Sequence, residues 1–199
     1  MRRLTLTILF VFAACVTLIA SDWANVYATL KDNHVVELRI DNAYRCTGVI
    51  IKVDTIISAA HCIIHEDMVA QVVEVVNRFE QAIPTKLVRL STALDLALLT
   101  ATLPNHTPIK LATLSPPSAT EVIAVGFHTS NPSPDATVAH VLQMFPDRLI
   151  VDQPYQYGYS GGPLVNSKLE LVGINVRTDF TRGIGLSVPI ELVRWFLGD

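Results

Sequence analysis

Gly158-Tyr159-Ser160-Gly161-Gly162-Pro163 sets one serine among three glycines. Such a backbone suits a tight, exposed turn whose N–H groups converge on one spot, and amides placed like that can hold a developing oxyanion. A serine hydroxyl is a poor nucleophile until a base takes its proton. The sequence should therefore hold a histidine, and a carboxylate to orient it.

Working outward, Ser58-Ala59-Ala60-His61-Cys62 and Asp95-Leu96-Ala97-Leu98-Leu99 supply both. The other histidines, His34, His65, His106, His128 and His140, have no comparable neighbourhood and read as surface or packing residues. Asp54 and Asp67 are nearer His61 in sequence, but neither opens an apolar strand as Asp95 does. The serine hexapeptide also satisfies Gly-x-Ser-x-Gly, the nucleophile elbow of α/β-hydrolases, which requires a histidine downstream of the serine. No histidine follows His140.

The histidine segment resembles the histidine signature of the chymotrypsin-like (trypsin-fold) serine peptidases. The Asp95 segment is similar to their Asp-Leu-Ala-Leu strand, and the glycine-flanked serine to their nucleophile motif. The order His61, Asp95, Ser160 also matches. Cys46, in Cys46-Thr47-Gly48-Val49-Ile50, stands where the family places the partner of the cysteine after its histidine.

This resemblance implies Ser160 as nucleophile, His61 as general base and then acid, and Asp95 as the group that orients the imidazole. It places the oxyanion hole at the N–H groups of Gly158 and Ser160. It implies an all-β fold of two six-stranded antiparallel β-barrels with a short C-terminal helix. Tyr159 stands where zymogen-derived members carry aspartate, and no Ile-Val-Gly-Gly start occurs in 22–32, so activation by a freed amino terminus is not expected. Leu171-Val172-Gly173-Ile174-Asn175 and Gly185-Leu186-Ser187-Val188-Pro189-Ile190 resemble HtrA/Deg-type bacterial proteases, here as a protease domain without a PDZ module. Pro154, six residues before Ser160, replaces the aspartate of Lys/Arg-cleaving members, and Val176, Arg177 and Thr178 align with the substrate-binding strand. An apolar residue before the scissile bond is the first expectation, an acidic one paired with Arg177 the second.

Independently of the resemblance, short β-branched or alternating runs recur at 34–40, 47–52, 69–76, 97–101, 121–125, 137–144, 148–152, 169–176 and 184–188, with turn residues between them. Many short strands at that spacing predict an all-β barrel or sandwich. Helical periodicity is expected only at 190–197, where Leu192, Val193, Phe196 and Leu197 can share a face. The segment 113–120, with Pro116-Pro117 at its centre, favours an extended link between an N-terminal barrel (22–115, with His61 and Asp95) and a C-terminal one (116–199, with Ser160).

The chain of 199 residues is 50% hydrophobic and 17% charged, the composition of a folded domain. Its formal charge of −3 gives no cationic excess for nucleic acid. Mean hydropathy is +0.40, raised by the charge-free run 4–20 behind Arg2 and Arg3. Residues 1–21 read as an export signal, with an uncleaved membrane anchor as the alternative. Cys46 and Cys62 then form an even pair in an oxidising compartment, most simply a disulfide; a zinc site of Cys46, Cys62, His61 and His65 is the rival. The expected function is an exported serine endopeptidase acting on protein or peptide substrates without metal or organic cofactor. The alternatives are an inactive trypsin-fold binding module and an esterase on the same three residues.

Overall fold

The computed structural model describes residues 23–41, 44–65, 68–70, 72–76, 81–104, 106–128, 131 and 133–199. The expected export segment at 1–21 lies outside them. Among the described residues no helix is long and apolar enough to cross a membrane.

Helix α1 (residues 23–33) is followed by strands β1 (Val35–Ile40), β2 (Tyr44–Lys52) and β3 (Thr55–Ser58), and by a single 3-10 turn at Ala60–Cys62. Next come β4 (Ile64–His65), β5 (Met68–Val69), β6 (Val73–Val76), β7 (Ala82–Pro84), β8 (Lys86–Ser91), β9 (Leu96–Thr100) and β10 (Lys110–Leu111). The second half carries β11 (Glu121–Gly126), β12 (Asp135–Met144), β13 (Leu149–Val151), β14 (Pro163–Val165), β15 (Glu170–Asp179), β16 (Ile184–Pro189) and helix α2 (Ile190–Leu197).

Most strands form two sheets, the first in the order β7-β6-β1-β2-β3-β9-β8. In the second, β15-β14-β11-β12-β13-β16 closes on itself because β16 also pairs with β15, and β10 joins β15 from outside, in parallel. The closed six-stranded barrel and the terminal helix thus match the expected mostly β architecture. The first sheet instead has seven strands and curls as a half-barrel, with β7 and β8 unpaired to each other among the described residues. Along β8 every side chain is exposed or half-buried, so no buried face draws that edge inward.

Period-2 alternation explains how the sheets join. Val36, Leu38, Ile50 and Ile56 point into the half-barrel's own core, whereas Val35, Val49, Ile51 and Ile57 point the other way, into the core shared with the closed barrel. Strands buried on both faces read as continuous apolar runs, which is why 49–51 and 56–57 do not alternate in sequence.

Helix α1 was not expected. Trp23, Val26, Tyr27 and Leu30 recur at helical spacing, and all four pack on the shared core. Trp23 Nε1 donates to Glu121 Oε2 at 2.5 Å and the Tyr27 hydroxyl to the Pro134 carbonyl, so the helix is fastened to the closed barrel. At the other end of the chain, Glu191 of α2 accepts from the backbone N–H and the hydroxyl of Ser115, both at 2.7 Å, and so ties α2 to the segment between β10 and β11.

Candidate active site

The serine turn is built against the first sheet. Thr47 N–H of β2 donates to the Ser160 carbonyl at 2.9 Å, Gly161 N–H to the Asn175 carbonyl at 2.7 Å and Gly162 N–H to the Tyr159 carbonyl at 2.9 Å. Gly161 has φ +79°, and a Cβ there would fall 2.0 Å from Ser58 Oγ and 2.3 Å from the Thr47 carbonyl oxygen. Only glycine meets both demands. Among the described residues the N–H groups of Gly158 and Ser160 have no backbone acceptor, unlike those of Tyr159, Gly161 and Gly162.

His61 sits on the 3-10 turn that follows β3, and Asp95 on the tight turn before β9, at φ +55°. Because β3 and β9 pair, with Ser58 opposite Ala97, the two turns share one end of the sheet. Asp95 grips His61 twice, with Oδ1 accepting the backbone N–H at 2.9 Å and Oδ2 the ring Nδ1–H at 2.8 Å. A carboxylate only accepts, so the proton of the neutral ring is on Nδ1, and Nε2 keeps a free lone pair.

Cys46 and Cys62 are joined in a disulfide. It removes the thiolates that the zinc alternative needed. It also ties the His61 turn to β2 and leaves Cys62 Sγ 3.7 Å from the Ser160 carbonyl oxygen, which brings the histidine and serine segments to one locus.

Beside Ser160 opens a pocket of about 220 Å³, lined by Tyr155, Gln156, Tyr157, Gly158, Ser160, Val176, Arg177 and Thr178. Of the four residues expected at a substrate pocket, Val176, Arg177 and Thr178 line this cavity; Pro154 is outside its lining, which includes the neighbouring Tyr155. The β15–β16 register slips between Asn175 and Arg177, leaving Val176 as an extra residue, and such a bulge re-aims its side chain. Tyr155 is buried, and its hydroxyl donates to Ser187 Oγ at 2.7 Å; Ser187 donates to Asn175 Oδ1 at 3.1 Å, and Asn175 Nδ2 to the Pro163 carbonyl at 3.2 Å. Burial raises the Tyr155 hydroxyl's pKa well above the ordinary tyrosine value. Arg177 is exposed, and the Tyr157 ring packs at a tilt of 46° against Phe180, centroids 5.5 Å apart.

Residues 46–174 match the family model of the trypsin-like peptidase domain. The chain belongs to that family. It is 31% identical over 118 residues to serine protease HTRA1A of Danio rerio, a match covering 53% of this chain and 24% of that protein. The chain thus spans about a quarter of that relative's length. Among solved structures, the serine endoprotease from Yersinia pestis has a TM-score of 0.76 at 24% identity, covering 87% of this chain and 65% of that one. The active form of the Rv3671c protease from M. tuberculosis has a TM-score of 0.77 at 18% identity, covering 87% and 82%. These likenesses carry the fold.

In this trypsin-like peptidase domain Tyr159 is a core residue, 1% exposed. Burial, opposed by a hydrogen bond with Thr137, pushes its pKa up to about 12. Its ring lies over Gly126, where a Cβ would come within 2.5 Å of the Tyr159 Cα. Four residues of the site escaped the sequence reading: Tyr155, Gln156, Tyr157 and Thr47. The signal for Thr47 was its position next to Cys46 on the strand facing the serine turn.

Proposed function

We propose that the protein is an exported serine endopeptidase using His61, Asp95 and Ser160, its two halves (22–115 and 116–199) working as one peptidase domain. The observation that carries this reading is the double hold of Asp95 on His61, which leaves Nε2 as the base. Nε2 takes the Ser160 hydroxyl proton as Oγ attacks the scissile carbonyl, then returns it to the leaving amine. Water, deprotonated by the same nitrogen, hydrolyses the acyl-enzyme. The N–H groups of Gly158 and Ser160, which have no backbone acceptor among the described residues, hold the oxyanion of both tetrahedral intermediates. The family membership and the shared fold support peptide bonds as the substrate. The disulfide supports an oxidising compartment, and with the leader-like 1–21 segment it supports export.

The pocket lining contains no carboxylate to pair with Lys or Arg, and Tyr155 and Val176 offer apolar walls, so cleavage follows apolar residues. A peptide library digested with wild-type protein and with Ser160→Ala, read by mass spectrometry, tests activity and preference together. Expected are cuts after apolar residues with wild type alone. Cuts confined to Lys or Arg contradict the pocket reading, and no cuts by folded wild type contradict the peptidase reading.

A further inference from the structure

Thr47 is fully buried at the interface of the two sheets, and every polar atom it has is engaged. Its N–H donates to the Ser160 carbonyl at 2.9 Å, and its carbonyl accepts from Ser58 Oγ at 2.8 Å. Its hydroxyl lies 2.8 Å from the Gly158 carbonyl oxygen and 2.9 Å from the Phe127 N–H. A carbonyl can only accept and an amide N–H can only donate. The hydroxyl proton therefore points at Gly158, and its lone pair receives Phe127.

The two carbonyls that Thr47 holds belong to Gly158 and Ser160, the residues whose N–H groups stand without a backbone acceptor. The turn between them is rich in glycine, with φ +96° at Gly158 and +79° at Gly161, and such a backbone has many accessible conformations. Fixing both carbonyls from outside the turn selects one of them. We propose that the Thr47 hydroxyl is a positioning group of the oxyanion hole: from the opposite sheet it fixes the Gly158 carbonyl and links it to Phe127, the first residue after β11, while the Thr47 backbone N–H holds the Ser160 carbonyl. This rests on the peptidase reading above. Thr47 touches neither substrate nor the reacting atoms; it acts through Gly158 and Ser160.

Thr47→Val keeps the shape and removes the hydroxyl, Thr47→Ser keeps the hydroxyl, and Thr47→Ala leaves space that water can enter. The expected result for Thr47→Val is a kcat at least about tenfold lower with KM changed less than about threefold, the pattern of a lost transition-state interaction. Affinity for a peptide trifluoromethyl ketone, whose adduct carries the oxyanion, should fall by the same factor. The pH dependence of kcat/KM should not move, because His61 and Asp95 are untouched. Thr47→Ser should recover kcat to within about threefold of wild type.

Melting curves accompany each variant, and if Thr47→Val does not fold, Thr47→Ala carries the comparison with Thr47→Ser. Wild-type kcat in a folded variant lacking the hydroxyl overturns the proposal. So does a loss confined to KM, or a Thr47→Ser protein as slow as Thr47→Ala. A folded wild type without turnover instead removes the peptidase reading, and this inference with it.

Discussion

Asp95 decides what His61 can do. Its carboxylate accepts from both the backbone N–H and the ring Nδ1–H of His61, so position and tautomer are set by one residue. Asp95→Asn keeps the size but presents an amide that can donate to Nδ1, favouring the tautomer whose proton occupies Nε2. We expect kcat to fall roughly 10³–10⁴-fold with little change in melting temperature, measured on the best peptide of the library. A loss below about tenfold would separate the carboxylate from the base. The three residues His61, Asp95 and Ser160 were legible in sequence because each sits in a short motif of distinctive composition. Tyr155 and Thr47 were not: their roles come from contacts with Ser187 on β16 and Gly158 on the serine turn, which no local pattern encodes.

At the scale of elements, the strands with buried faces could be read from alternation, and nine expected runs fall on strands of the structure. The run at 69–76 resolves into β5 and β6. Strands β3, β4, β7, β8, β10 and β14 went unread: β14 follows the glycine turn directly, and β7 and β8 lack a buried face that would give them a pattern. Helix α1 was missed because its apolar stripe, Trp23 to Leu30, is only about two turns long and adjoins the leader-like segment.

The Cys46–Cys62 disulfide, across a separation of 16 residues, joins β2 to the His61 turn. Closing a loop of that length contributes about 3 kcal/mol by restricting the unfolded chain. A Cys46→Ala/Cys62→Ala variant should lose about 2–4 kcal/mol in urea unfolding. A loss under about 0.5 kcal/mol would contradict this account.

His34, between α1 and β1, gives this region a pH dependence. Burial lowers its pKa from the ordinary 6.5, and the Nδ1–H bond to the Thr107 carbonyl at 2.7 Å only partly offsets that. The unfolded chain thus binds a proton that the folded one resists, so the stabilisation is full above the unfolded value and is lost as pH falls through the folded one. Urea midpoints should decline as pH is lowered from 7 toward 5, and His34→Gln should flatten that decline. An unchanged slope in the variant would assign the effect to other groups.

Across the whole molecule, the site exists only where the two sheets meet. His61 and Asp95 stand at one end of the half-barrel and Ser160 on a turn of the closed barrel, and Thr47 joins the two through its N–H to the Ser160 carbonyl and its hydroxyl to the Gly158 carbonyl. That the molecule is mostly β was legible in strand spacing; the segment 113–120, read as a link between two halves, runs between β10 and β11 of the second sheet. That only one sheet closes was not legible, because closure needs β16 to pair with β13 as well as with its hairpin neighbour β15, and Leu149 opposite Ser187 joins residues far apart in the chain. Reaction with a fluorophosphonate, followed by intact mass and peptide mapping, tests the shared site most directly. One adduct on Ser160 is predicted, absent in Ser160→Ala and much slower in His61→Ala. A folded wild-type protein that stays unlabelled, or labelling that persists in Ser160→Ala, would contradict the account.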